Sequence, residues 1–211
     1  MDFTGFVLAH LPAAPVRVLE VGCGDAGGVV PALVAAGYDA LGVDPRAPAG
    51  PHYRTGDFRE VEGQFDAVVA GRVLHHVHPL DDGLDRIAEL APLLLVDEFA
   101  WDKIDADAQD WYEGQHRMLS AAGATPPGPS SIDEWRWRHA QLHPHDAVLA
   151  ALRARYDELE LEWLPYLYRW LGGPASEPLE RTLVDAGAFP AIGYRWAGAR
   201  TSTTRSSAAS R

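Results

Sequence analysis

The run Val18-Leu-Glu-Val-Gly-Cys-Gly-Asp-Ala-Gly27, followed by Leu41-Gly-Val-Asp44, constrains this chain more than any other feature. An apolar strand runs into a glycine-rich turn, and a carboxylate closes the next strand. Gly22, Gly24 and Gly27 let backbone approach a ligand closely and let the following helix pack near the strand. Asp44 stands where a strand-end carboxylate accepts hydrogen bonds from ribose hydroxyls. The spacing meets both the GxGxxG rule of dinucleotide binders and the ExGxGxx pattern of S-adenosylmethionine (SAM) binders, so the turn alone names no single cofactor.

Around this turn, strand and helix patterns alternate through the first hundred residues, which predicts a parallel sheet with helices on both faces. Phe3, Phe6, Val7 and Leu11 recur at helical spacing. Strands are expected over 16–21, 40–43, 52–55, 65–70 and 93–96. A helix from about residue 28 carries Pro31 in its first turn and stops at Gly37. Leu80, Leu84, Ile87 and Ala91 mark one face of another helix, and the Asp81-Asp82 pair suits its start, where negative charge meets the helix dipole.

The alternation breaks from Trp101 to about Tyr156, where three helical patterns (104–121, 131–141 and 146–156) predict a cap inserted in the domain. Ser131 with Glu134 is a capping-box pattern. Sheet-like sequence returns over 159–170, a helix capped by Ser176 ends at Gly187, and 191–197 completes the sheet. The fold expected is α/β, Rossmann-like and doubly wound, with a mostly parallel seven-stranded sheet. It forms one domain over 1–200, a helical cap at about 101–156 and a flexible tail over 201–211, to which no function is assigned.

Composition narrows the partners. A net charge of −12 with no basic run before the tail repels a phosphate backbone, so nucleic acid is not the expected substrate. The single cysteine, Cys23, forms no internal disulfide, and no apolar run approaches the roughly 20 residues that span a bilayer. A cytoplasmic protein without membrane contact is expected, as monomer or homodimer.

Four motifs in order make the chain resemble the class I SAM-dependent methyltransferases: Val18-Leu-Glu-Val-Gly-Cys-Gly-Asp, Gly42-Val-Asp44, Gly56-Asp57-Phe58, and Phe65-Asp-Ala-Val-Val-Ala-Gly-Arg-Val-Leu-His-His-Val77. The resemblance covers roughly 16–100, with weaker support over 159–197. It implies that Gly22 and Gly24 lie against the methionine part of SAM, with Glu20 organising the loop near its amino group. Asp44 would hold the ribose, Asp57 with Phe58 would meet the adenine, and backbone around Gly71 and Arg72 would flank the methionine end. Ala26 departs from the usual glycine and fits only where φ stays negative.

A NAD-dependent oxidoreductase explains the glycines and Asp44 but leaves Asp57-Phe58 and Leu74-His-His-Val77 without a role. A noncatalytic SAM-fold binding subunit is the other alternative. The function expected is methyl transfer to a small organic acceptor, oxygen or nitrogen, by in-line displacement. His75 and His76 are candidate bases, and Glu98 a candidate to orient the acceptor at the mouth of the site. Trp101, Trp111, Tyr112, His116 and Trp135 are candidate pocket walls, with the Tyr112–His116 stripe facing the pocket. Arg136 and Arg138 are read as solvent-facing, with binding of an acidic acceptor as the alternative. Asp97, Glu98, Asp102 and Asp105 cluster without an octahedral ligand set, so no required metal is expected.

Overall fold

The structure, a computed structural model, describes residues 1–200. The expected tail over 201–211 lies outside them. Eight helices and seven strands follow in the order α1 (Phe3–His10), β1 (Arg17–Val21), α2 (Val30–Ala35), β2 (Asp39–Asp44), β3 (Tyr53–Thr55), β4 (Ala67–Gly71), α3 (Leu80–Leu90), β5 (Leu93–Phe99), α4 (Ala106–Ala121), α5 (Ile132–Arg138), α6 (His145–Arg153), β6 (Asp157–Leu164), α7 (Tyr168–Leu171), α8 (Glu177–Asp185) and β7 (Gly193–Ala199) among the described residues.

The strands form one sheet in the order β3-β2-β1-β4-β5-β7-β6. The first five strands run parallel, and β7 lies antiparallel between β5 and β6. The strand order reverses between β1 and β4, the switch point at which open α/β sheets bind ligands beyond their carboxyl ends.

Period-two alternation divides each central strand between two cores. Val18, Ala67, Val69 and Leu95 pack against α1 and α2, while Leu19, Val68, Ala70, Leu94 and Val96 pack against α3 and α6. Glu20 therefore falls on the α2 side, at the start of that helix. Pro31 sits in the first turn of α2, where its missing amide proton leaves no hydrogen bond unmade.

Two expectations need correction. The three helices of the cap do not act together. Val148, Leu149 and Leu152 of α6 join the main core beside α3, whereas α4 and α5 pack with α7 and α8 in a third cluster built on Phe99, Tyr112, Tyr166 and Phe189. Nor does 159–170 continue as strand. β6 stops at Leu164, and after Pro165 the chain turns into the short α7, ended by Gly172 at φ +115. The Glu158 and Glu160 positions of β6 carry a register shift against β7. Ser176 precedes α8, yet its side chain makes no capping hydrogen bond.

Candidate functional site

The carboxyl ends of β1, β2, β4 and β5 open into one cleft of about 1340 Å³. That exceeds the several hundred Å³ of an ordinary single-ligand pocket, leaving room for a nucleotide-sized ligand and a second molecule.

The first half is built from the glycine turn. Gly24 stands at φ +64 with no atom within 4 Å of where a Cβ would lie, so its backbone faces open cleft. Gly28, at φ +57, has no room for a Cβ because the Glu20 carboxylate occupies that space. Glu20 is 3% exposed and accepts hydrogen bonds from the amides of Val29 (2.8 Å) and Val30 (3.2 Å). Burial pushes its pKa up to about 7, against the downward pull of those two amides. Ala26 avoids positive φ, as its Cβ requires. Asp44 lines the cleft and accepts from the Arg46 amide at 2.7 Å. Gly22, Gly71 and Arg72 line it as well.

Asp57 and Phe58 are placed otherwise than expected. Neither lines the cleft. Phe58 is buried in the core beneath α3, while the Asp57 carboxylate accepts from the Arg59 amide at 2.9 Å and pairs with its guanidinium at 3.2 Å.

At the junction of the two halves stand His75 and His76, both lining the cleft. His75 is buried, and its Nδ1 lies 2.6 Å from Glu98 Oε2. Glu98 is 1% exposed and also accepts from the amide of Leu74 at 2.7 Å. The carboxylate expected at the mouth of the site is thus turned inward. β5 runs three residues past its expected end at 96, so Glu98 belongs to the strand and reaches the loop after β4. Its oxygens are engaged by the His75 ring and the Leu74 amide. His76 is more exposed, and burial together with its histidine neighbours lowers its pKa.

The second half is aromatic. Trp135 lines it together with Phe99, Tyr166 and Trp170. Phe99 stacks on Tyr166 with centroids 4.6 Å apart, and Trp135 lies 5.3 Å from Trp170. Of the five expected wall residues Trp135 alone lines the cleft. Tyr112 is fully buried, its hydroxyl donating to the Pro129 carbonyl at 2.6 Å, and His116 packs beside it. The apolar content of the third core claimed the stripe assigned to the pocket. Trp111 packs on Phe189, and Trp101 donates to the His143 carbonyl at 3.0 Å. Arg136 is half-buried, bonded to Gln109 and the Ile104 carbonyl, while Arg138 pairs with Glu134 at the surface.

Sequence reasoning missed His139, Tyr166, Arg169 and Trp170 as lining residues. Pro165 and the Gly172-Gly173 pair, both strand breakers, were the signal that 165–173 is a turn able to present side chains. The acidic cluster disperses. Asp97 binds Arg169, Asp105 caps α4, and Asp102 bonds His145, which with Asp146 brings three ligand-type atoms within 4.8 Å of one another at the surface.

Residues 3–155 match the family model described as a methyltransferase domain. No curated protein matches the chain. Among solved structures, a SAM-dependent methyltransferase from Mesorhizobium loti is similar with a TM-score of 0.58 at 18% identity, covering 93% of this chain and 96% of that one. The geranyl diphosphate C-methyltransferase of Streptomyces coelicolor A3(2) has a TM-score of 0.58 at 14% identity, covering 94% of this chain and 78% of its own. The magnesium protoporphyrin IX methyltransferase of Synechocystis PCC 6803 has a TM-score of 0.53 at 16% identity, covering 94% and 80%. At these identities the likeness is one of fold. No helix among the described residues is long and apolar enough to cross a membrane.

Proposed function

The chain belongs to the methyltransferase-domain family, and from that membership we infer that it transfers the methyl group of SAM to a small organic acceptor at oxygen or nitrogen. The NAD-linked reading is set aside by the same membership. The open backbone at Gly24, the Glu20 carboxylate and the strand-end Asp44 fit the cofactor. Gly22 and the backbone around Gly71 and Arg72 would complete its binding site.

SAM supplies its own activated methyl group, so the protein has to align the reactants, exclude water and remove the acceptor's proton. Proton removal is assigned on one observation, a buried His75–Glu98 pair, 2.6 Å long, set between the glycine turn and the aromatic wall. With Nδ1 held by Glu98, Nε2 is the nitrogen left to take a proton from a hydroxyl or amine. Glu98 fixes the ring's orientation and is a positioning residue. Phe99, Trp135 and Trp170 offer flat apolar surface for the acceptor, and α4 with α5 forms a helical lid over it.

His75→Ala should lower kcat by roughly 10²–10⁴-fold, the span typical of a lost general base, with S-adenosylhomocysteine (SAH) affinity unchanged. Transfer of labelled methyl from SAM to a panel of phenols and amines reads the first quantity, and calorimetry the second. Full turnover by the variant would remove His75 from the chemistry; absence of SAH binding by the parent protein would overturn the whole reading.

A further inference from the structure

Methyl transfer from SAM, the reading on which this inference rests, leaves the acceptor's chemistry open. Beyond Gly71, Arg72 adopts φ +55, the one positive φ outside glycine among the described residues. A side chain with a Cβ is costly there, and such strain tends to persist where the side chain is used. The Arg72 amide donates to the Asp97 carbonyl at 2.6 Å, holding the turn beside β5.

Asp97 is buried, and its carboxylate takes Arg169 at 2.7 and 3.3 Å and Arg195 at 3.4 Å. Arg195 also lies 3.5 Å from Glu162, whose side chain is half exposed. Among the described residues no carboxylate pairs with Arg72, which lines the cleft. Arg72 is therefore a cation at this end of the cleft that the fold leaves without a carboxylate partner among the described residues.

Tyr166 belongs to the same cluster, with the Arg169 guanidinium 5.0 Å from its ring centroid. The residue is 4% exposed and lines the cleft, and among the described residues its hydroxyl has no hydrogen-bond partner. Burial holds this phenol protonated far above neutrality; the Arg72 and Arg169 charges act the other way, and the Glu98 and Asp97 carboxylates act with burial. At neutral pH it is a donor without an acceptor, lining the same cleft as Arg72 and within reach of its charge.

We propose that Arg72 and the Tyr166 hydroxyl form an anion subsite that selects planar aromatic acids as methyl acceptors. The carboxylate accepts from both groups while the ring lies along Phe99, Trp135 and Trp170. The acceptor atom is a second substituent, a hydroxyl or amine. On transfer the methyl–sulfur bond breaks, a methyl–oxygen or methyl–nitrogen bond forms, the proton passes to His75, and the carboxylate is unchanged.

The test is titration of the SAH-loaded protein with 3,4-dihydroxybenzoate and with 3,4-dihydroxybenzamide, read by tryptophan fluorescence. The acid should bind at least about tenfold more tightly, the ratio expected when a charge-assisted hydrogen bond is gained. Tyr166→Phe should erase most of that preference and leave amide and SAH binding as they were, and Arg72→Gly, whose backbone also flanks the cofactor, should weaken binding of the acid more than binding of the amide. No binding by the acid, equal affinity for the two probes, or a preference surviving both substitutions overturns the subsite. So does an Arg72→Gly variant that loses SAH affinity alone, since Arg72 then serves the cofactor's carboxylate. Loss of SAH binding in the parent protein would instead strike the underlying methyltransferase reading.

Discussion

Glu20 shows how one side chain couples cofactor, helix and pH. Its carboxylate lies against the amino end of α2, yet burial raises its pKa from 4.5 to about 7. Because the folded value lies above the unfolded one, the unfolded chain loses this proton first as pH rises. Stability contributed by the protonated group therefore declines between those two values, by up to about 1.4 kcal/mol per pH unit, and is level above. A cationic amino group bound nearby favours the ionised carboxylate. SAH binding should then release a proton near neutral pH, with affinity climbing through pH 7 and flattening beyond; calorimetry in buffers of different ionisation enthalpy measures this, and Glu20→Gln should abolish it. Tyr112 makes the opposite point, since its hydroxyl serves the core. Tyr112→Phe leaves the Pro129 carbonyl without that donor and should cost about 1 kcal/mol in chemical denaturation, with probe-acceptor affinity untouched.

The acceptor wall is an arrangement of elements. The turn after β6 carries Tyr166 and leads into α7 with Arg169 and Trp170, and it is held by a single residue of α8. Glu180, fully buried, accepts from the amides of Tyr166 at 2.8 Å, Leu167 at 3.0 Å and Tyr168 at 2.6 Å. Removing it strands two buried donors, each worth roughly 1–3 kcal/mol, and a third that is partly buried. Glu180→Ala should therefore destabilise the protein by several kcal/mol and speed hydrogen exchange at those three amides. In whatever fraction stays folded it should weaken acceptor binding more than SAH binding. Opposite this turn, α5 contributes Trp135, and the loop joining it to α4 spans 122–131. If α4 and α5 close over the acceptor, proteolysis in that loop should slow when SAH and an acceptor bind together; unchanged cleavage would argue for a rigid wall.

For the molecule as a whole, a ligand that binds only the folded state raises the unfolding midpoint. SAH at a hundred times its dissociation constant should add about 2.7 kcal/mol, roughly 5–10 °C for a chain of this size, and NADH should add nothing. The parallel half of the sheet was legible in the residues because β1, β2, β4 and β5 are buried on both faces and read as apolar runs between glycines and carboxylates. The turn at Gly22 and Gly24 was legible for the same local reason, since backbone conformation there is set within a few residues. Tyr112, Glu98 and the 165–173 turn were misread because helical or strand periodicity says which residues share a face, never which distant element will cover it. The sequence by itself determined that a glycine turn, an ionisable Glu20 and an Asp44 would share one sheet edge, because short-range sterics and strand alternation suffice for that. Only the tertiary structure decided that Glu98 holds His75 and that Tyr166 and Arg72 line one cleft, because those residues sit on elements far apart in the chain that come together only when the whole sheet and its helices pack.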